Sequence, residues 1–127
     1  MTTLLLSKIT AIGEEVPMLL EGGVFILFAD GAPAELAEVS VCHLVEHAEP
    51  KTKPVPGNSV NIAGISSRIS AVGDRAWDKV VEMGHVVINF NGAKVAERPG
   101  EICAEVVDTE ALFAALKPGA PISIVTA

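Results

Sequence analysis

Residues 7–31 and 67–92 resemble one another, and this internal repeat restricts the fold more than any other feature. The first stretch reads SKITAIGEEVPMLLEGGVFILFADG and the second SRISAVGDRAWDKVVEMGHVVINFNG. Ser7–Gly13 aligns with Ser67–Gly73 at an offset of 60, and Gly22–Phe28 with Gly84–Phe90 at an offset of 62, after a two-residue length difference. Glycines and a phenylalanine fall in register with the apolar positions, so the pattern predicts a duplicated unit rather than chance similarity of two apolar segments.

Each copy reads as strand, short helix, strand. Ile9, Ala11 and Ile69, Ala71 alternate with polar neighbours, as half-buried strands do. Gly13 and Gly73 end these strands. In the second copy Asp74 is the expected N-cap. Trp77, Val80, Val81 and Gly84 then fall at i, i+3, i+4 and i+7, one helical face. Pro17 suits the first turn of the other helix. The strands VFILF and VVINF follow, and Asn91-Gly92 carries a hairpin signal. Further strands are expected at Glu38–Val45, Ser59–Ile65, Glu101–Val107 and Pro121–Thr126. A short helix is expected at Asp108–Leu116, stopped by Lys-Pro-Gly. The proline-rich stretch EPKTKPVPGNS lies midway between the copies and reads as a loop joining two halves.

These elements predict a mainly β chain: one closed β-barrel of about eight short strands with two or three short helices and a pseudo-twofold axis, spanning residues 1–127 as a single domain. Closure also removes the exposed strand edges that so much Val and Ile would otherwise offer. With no Tyr, one Trp and four Phe, the core must be aliphatic. A chain of this length buries roughly two-thirds of its unfolded surface, so it needs no staple.

Nine Lys and Arg against sixteen Asp and Glu give a net charge of −7. An acidic surface argues against nucleic acid and anionic lipid as partners, and suits a basic protein face. Cys42 and Cys103 fit no CxxC spacing and read as small apolar fillers in a reducing compartment. The run MTTLLLSKITAIG is too short in its apolar part for a signal peptide. No apolar stretch approaches the length of about 18 residues that a spanning helix needs. A soluble, cytoplasmic protein is therefore expected.

The segment VSVCHLVEHAEP holds Cys42, His43 and His47, and three readings compete for it. A metal site wants three or four converging ligands. On a strand Cys42 and His43 face opposite ways, while His43 and His47 share a face about 13 Å apart. His85 joins them only through folding. Covalent catalysis by Cys42 lacks a visible base and orienting group. No Walker loop and no GxSxG occur. The plain reading is a surface or hydrogen-bond-satisfied histidine at a strand end, and the residues alone do not decide among these.

Three segments, GAPAELAEVSVCH, SRISAVGDRAWDKVVEMGHVVINFNG and ERPGEICAEV, resemble the glucitol/sorbitol-specific enzyme IIA component of the phosphoenolpyruvate-dependent sugar phosphotransferase system (PTS). The resemblance covers essentially the whole chain, and Ala71–Gly92 is its most specific part. It implies that His43 is the phosphorylated histidine. His43 would take a phosphoryl group from the histidine-containing phosphocarrier protein HPr and pass it to the glucitol/sorbitol IIB component of the IIB/IIC membrane transporter, which phosphorylates the incoming polyol. It implies no metal and no organic cofactor. Gly84-His85 matches the Gly-His of the long motif, and His85 is carried as a candidate site neighbour. His47 reads as an extra surface histidine.

The implied chemistry is physically apt. Phosphoryl transfer needs positioning and charge stabilisation more than covalent help. A neutral imidazole is a competent nucleophile near pH 7. Glu46 or a backbone carbonyl is the expected partner of the other ring nitrogen. Backbone N–H groups, Ser40, His85 or Arg68 are the expected donors to the bound phosphoryl group. An exposed strand end would admit two proteins in turn, and the acidic charge would attract a basic carrier. Two departures stand out: Ser67 lies where the family often carries an aromatic residue, and Met-Gly-His replaces Leu-Gly-His. A non-catalytic regulatory or binding module on the same barrel is the competing reading. A homodimer is compatible with the apolar strands and pseudo-repeat.

Overall fold

Residues 1–127 are described by a computed structural model. Eight strands run β1 (Thr3–Ile12), β2 (Val24–Ala29), β3 (Val41–Ala48), β4 (Ser59–Ile62), β5 (Ile65–Val72), β6 (Val86–Asn89), β7 (Glu101–Ala104) and β8 (Pro121–Val125). Four short helices intervene: α1 (Val16–Glu21), α2 (Ala34–Ala37), α3 (Ala76–Met83) and α4 (Thr109–Ala115). The strands close into one barrel in the order β1-β3-β2-β6-β7-β5-β4-β8, so every strand has two neighbours and no edge is left open. No helix is long and apolar enough to cross a membrane.

The barrel interior is aliphatic. Leu5, Ile9, Leu27, Ile69, Ile88 and Ile122 are fully buried, and Phe25 meets Phe90 edge to face at 6.4 Å. Helix α4 starts where the sequence places it: Asp108 caps it by accepting from the N–H groups of Glu110 and Ala111. Other local expectations are corrected. Asp74 is not the cap of α3, which begins after Arg75 with no side-chain cap. Val81 is turned to solvent while Ala76, Trp77 and Val80 are buried. Residues 59–65 are not one strand. Ala63 and Gly64 both take positive φ, 51° and 89°, and make a two-residue hairpin that pairs Ile62 with Ile65. Asn91-Gly92 turns the chain without forming a hairpin, because β6 runs parallel to β7 and a parallel pair needs a longer crossover. β2 and β3 are likewise parallel, joined through α2.

The two halves share several local features. The β1–β3 ladder slips between Ile9 and Ala11, and the β5–β7 ladder between Ile69 and Ala71. Gly13 N–H donates to Ser40 O as Gly73 N–H donates to Glu101 O. A Cβ on Gly13 would overlap the carbonyls of Ala37 and Glu38; one on Gly73 would overlap those of Arg98 and Pro99. One register correction follows. The offset between β2 and β6 is 61, not 62, because the inward positions Phe25 and Leu27 correspond to Val86 and Ile88. Sequence matching put Phe28 beside Phe90, yet Phe28 lies on the outer side and Phe90 is buried. Side chains alternate with period two, so a one-residue slip exchanges the faces. Gly23 and Gly84 are the true partners, both with positive φ (78° and 64°) after their helices.

Candidate functional site

His43 is the third residue of β3, between β1 on one side, where it pairs with Ile9, and β2 on the other, where it pairs with Ala29. It is 1% exposed. This corrects the expectation of an exposed strand end: the strand starts at Val41, three residues later than expected, and runs on to Ala48.

Both ring nitrogens are held. Nδ1 lies 2.7 Å from Ser7 Oγ and Nε2 lies 2.7 Å from the Gly84 carbonyl. A carbonyl only accepts, so a hydrogen bond there requires the proton on Nε2. Nδ1 then carries the lone pair, and the Ser7 hydroxyl donates to it. Burial pushes the His43 pKa below the ordinary imidazole value, while the Gly84 carbonyl pulls it partly back. The ring is therefore neutral at pH 7.

Local structure sets both partners. Ser7 lies on the inward register of β1, two residues before Ile9, and is 0% exposed. It pairs with Val45, two residues beyond His43, which places it within diagonal reach of the imidazole. Gly84 ends α3 in the left-handed conformation, φ 64° and ψ 19°, its N–H donating to Val80 O at 2.9 Å. This is the glycine C-cap that residues with a Cβ resist. It turns the chain sharply enough to bring its own carbonyl onto the ring. A Cβ there would stand 3.2 Å from Ala29 Cβ and 3.4 Å from His43 Nε2.

His85 adjoins the site through the backbone. Its ring is half-buried, tilted against Phe28 with centroids 5.0 Å apart, and its Nδ1 donates to the Leu27 carbonyl at 3.1 Å. It lines a cleft of about 210 Å³ with Lys79, Arg98 and Glu101. A larger hollow of about 650 Å³, between residues 53–56 and 94–99, includes none of the groups that hold His43.

The remaining expected residues are not gathered here. Glu46 and His47 are exposed on β3, and neither bonds to His43. Arg68 is exposed on β5, four strands away around the barrel. Ser40 is buried with its hydroxyl unpartnered, and it does not bond to the ring. Cys42 and Cys103 are free and buried, and burial raises both thiols above their ordinary pKa. No cluster of three or more His, Cys, Asp or Glu is arranged to hold a metal ion. Ser7 is the partner missed from sequence; the Gly84 carbonyl is the backbone carbonyl expected at one ring nitrogen, its residue not named by the sequence. Ser7 had a signal: it heads the first repeat two residues before Ile9 and on the same buried face, a polar residue where the strand pattern asks for an apolar one.

The second half has the same frame without the imidazole. His43 corresponds to Ala104, Cys42 to Cys103, Ser7 to Ser67 and Gly84 to Gly23. Ser67 donates instead to the Glu105 carbonyl at 2.7 Å, and the Gly23 carbonyl accepts from Phe90 N–H at 2.8 Å.

A closed eight-stranded barrel with a single, doubly anchored histidine defines the structural class, and a solved structure shares its fold. The barrel matches "The Crystal Structure of PTS System IIA Component from Enterococcus faecalis V583" with a TM-score of 0.70, covering 95% of this chain and 99% of that one at 16% identity. That likeness speaks for the fold. The family follows from sequence: residues 4–122 match the model of the PTS system glucitol/sorbitol-specific IIA component. Proteins named "PTS system glucitol/sorbitol-specific EIIA component" from Shigella flexneri and Escherichia coli (strain K12) are each 35% identical over 102 residues, 80% of this chain and 81% of theirs. The chain belongs to the glucitol/sorbitol-specific IIA component family of the PTS.

Proposed function

We propose that the chain is a cytoplasmic phosphocarrier, in which His43 takes a phosphoryl group from phosphorylated HPr and passes it to the glucitol/sorbitol IIB component of the membrane transporter. One observation carries the reading. Of the three histidines, only His43 is built into the barrel with both ring nitrogens fixed and its charge suppressed by burial. A neutral imidazole held in one orientation is what transfer to nitrogen requires, since positioning supplies much of the acceleration. His85, one residue beyond the carbonyl that holds Nε2, is the proposed neighbour of the bound phosphoryl group. In the Nδ1–H form its Nε2 is an acceptor, and as imidazolium it is a donor.

A second reading has its own support. His43 is closed to approach, with Nε2 covered by the Gly84 carbonyl, which suits a regulatory module that keeps the fold without the chemistry. One experiment separates the two. The chain is mixed with phosphoenolpyruvate, the first enzyme of the system and HPr, and its intact mass is read at neutral pH. An acid-labile gain of one phosphate, lost in His43→Ala, is the expected result. No gain with active HPr would favour the regulator, and a gain surviving His43→Ala would move the site to His85 or His47.

A further inference from the structure

We propose that Ser7 is the positioning residue of this transfer, holding His43 Nδ1 through every protonation state while Nε2, released from the Gly84 carbonyl, receives the phosphoryl group. The inference rests on the carrier reading above and goes beyond it by naming the accepting nitrogen and the residue that aims it.

The two anchors of the ring differ in chemistry. The Gly84 carbonyl accepts only, so it holds the Nε2–H form and no other. The Ser7 hydroxyl both donates and accepts, so it holds Nδ1 whether that atom carries a lone pair or a proton. They also differ in what surrounds them. Ser7 lies within a ten-residue strand paired on both sides, with β3 and β8, and is fully buried. Gly84 belongs to the turn between α3 and β6, flanked by the exposed Met83 and the half-exposed His85. Gly84 is itself buried and the resting ring is closed on both sides, but of the two anchors only the Gly84 turn can move without breaking a strand ladder, whereas Nδ1 faces strands paired on both sides.

The resting ring has the wrong tautomer for attack, since Nε2 holds a proton. When the turn moves off, the Nε2 proton leaves to water and Nδ1 takes one up, its N–H now donating to Ser7 Oγ. The Nε2 lone pair then forms the new N–P bond as the P–N bond of the donor phosphohistidine breaks. That electron pair returns to the donor's ring nitrogen, and the donor ring keeps its own proton on its other nitrogen. His43 is left as an imidazolium with Nδ1–H on Ser7, its charge facing the phosphoryl oxygens. If Nδ1 later loses that proton, Ser7 donates to it again. The corresponding Ser67 has no ring to hold and donates to a backbone carbonyl, so the role belongs to the first half alone.

The test compares phosphoryl acceptance from phosphorylated HPr by wild type, Ser7→Ala and Ser7→Thr, with melting temperatures, and with ¹⁵N NMR of the histidine ring before and after transfer. Ser7→Ala should accept about 100-fold more slowly, the scale expected when a reacting group is misaimed by about 1 Å. Ser7→Thr, which keeps the hydroxyl, should recover most of the rate. The NMR should read Nε2–H in the resting wild type and phosphorylation on Nε2. Should the alanine variant not fold, Ser7→Cys, with its weaker hydrogen bond, is read in its place and should be slowed in the same sense. Equal rates in wild type and Ser7→Ala, or phosphorylation on Nδ1, would overturn the assignment of Ser7 while leaving the carrier reading intact. A wild type that gains no phosphate from active HPr would overturn both.

Discussion

Gly84→Ala, measured beside Gly92→Ala, isolates the packing of the turn on His43 from the backbone cost of losing a glycine. The two positions share a backbone angle, φ 64° and 65°, but differ in surroundings: a Cβ on Gly92 meets nothing within 4 Å, while one on Gly84 meets Ala29 Cβ at 3.2 Å, and His43 Nε2 and Val45 Cγ2 at 3.4 Å. A left-handed angle costs an L-residue roughly 1–2 kcal/mol, so both variants lose that much. Gly84→Ala also forces apart atoms that are already close-packed, and overpacking of this kind costs about 1–3 kcal/mol more. Urea unfolding should therefore place Gly84→Ala below Gly92→Ala by about 1–3 kcal/mol. A proton NMR titration gives a second readout. Burial is the main cause of the low His43 pKa, so a loosened turn that admits water should move its titration up toward the ordinary value of about 6.5. Gly92→Ala should leave the titration where it is. Equal stability losses with an unmoved His43 titration would refute the close fit of turn and ring.

Three other outcomes are expected. His43 has a folded-state pKa below its unfolded value, so the unfolded chain binds the extra proton first; stability should be full above about pH 6.5 and fall below it, with a slope of up to about 1.4 kcal/mol per pH unit between the two pKa values. His43→Gln should flatten that part of the stability curve measured by urea titration. Cys42 and Cys103, buried with raised thiol pKa values, should react with iodoacetamide at pH 8 far more slowly in the native protein than in guanidinium, and fast labelling of either in the folded state would contradict the burial. Asp108→Ala removes the acceptor of two N–H groups at the start of α4 and should cost about 1 kcal/mol by denaturant unfolding, with Asp108→Asn largely restoring it.

The duplication was legible because it needed no knowledge of register: matched glycines and alternating apolar residues suffice to predict two equal units, and two such units of short strands close most simply as a barrel. Register itself was not legible. In GGVFILF and GHVVINF, aligning on the phenylalanines gave an offset of 62, but the space between the halves is set by Gly23 and Gly84, whose positive φ values put them at equivalent corners. A glycine followed by glycine conceals which of the two makes the turn. The Ala63-Gly64 hairpin was hidden for a related reason, since an alanine at positive φ carries no compositional mark. At the site, the strand pattern located His43 but not its partners. Ser7 is 36 residues away in sequence and the Gly84 carbonyl 41, and neither a hydroxyl on an apolar face nor a backbone oxygen announces what it will meet.

Why a duplicated barrel has one histidine site rather than two is a question of partners as much as of the histidine itself. Ala104 occupies the place of His43 and is fully buried. The serine and the glycine carbonyl that would hold an imidazole there are both present, but both are engaged: Ser67 donates to Glu105 O and Gly23 O accepts from Phe90 N–H. Ala104→His must therefore fit a ring where a methyl group fills the space, at an overpacking cost of about 1–3 kcal/mol. Any ring nitrogen left unpaired adds about 1–3 kcal/mol. The double variant His43→Ala/Ala104→His should then be folded but weakened in urea, and should gain no phosphate from phosphorylated HPr. If it were phosphorylated at residue 104, the pseudo-twofold frame alone would be sufficient for transfer. The specific anchoring by Ser7 and Gly84 would then not be what makes His43 the site.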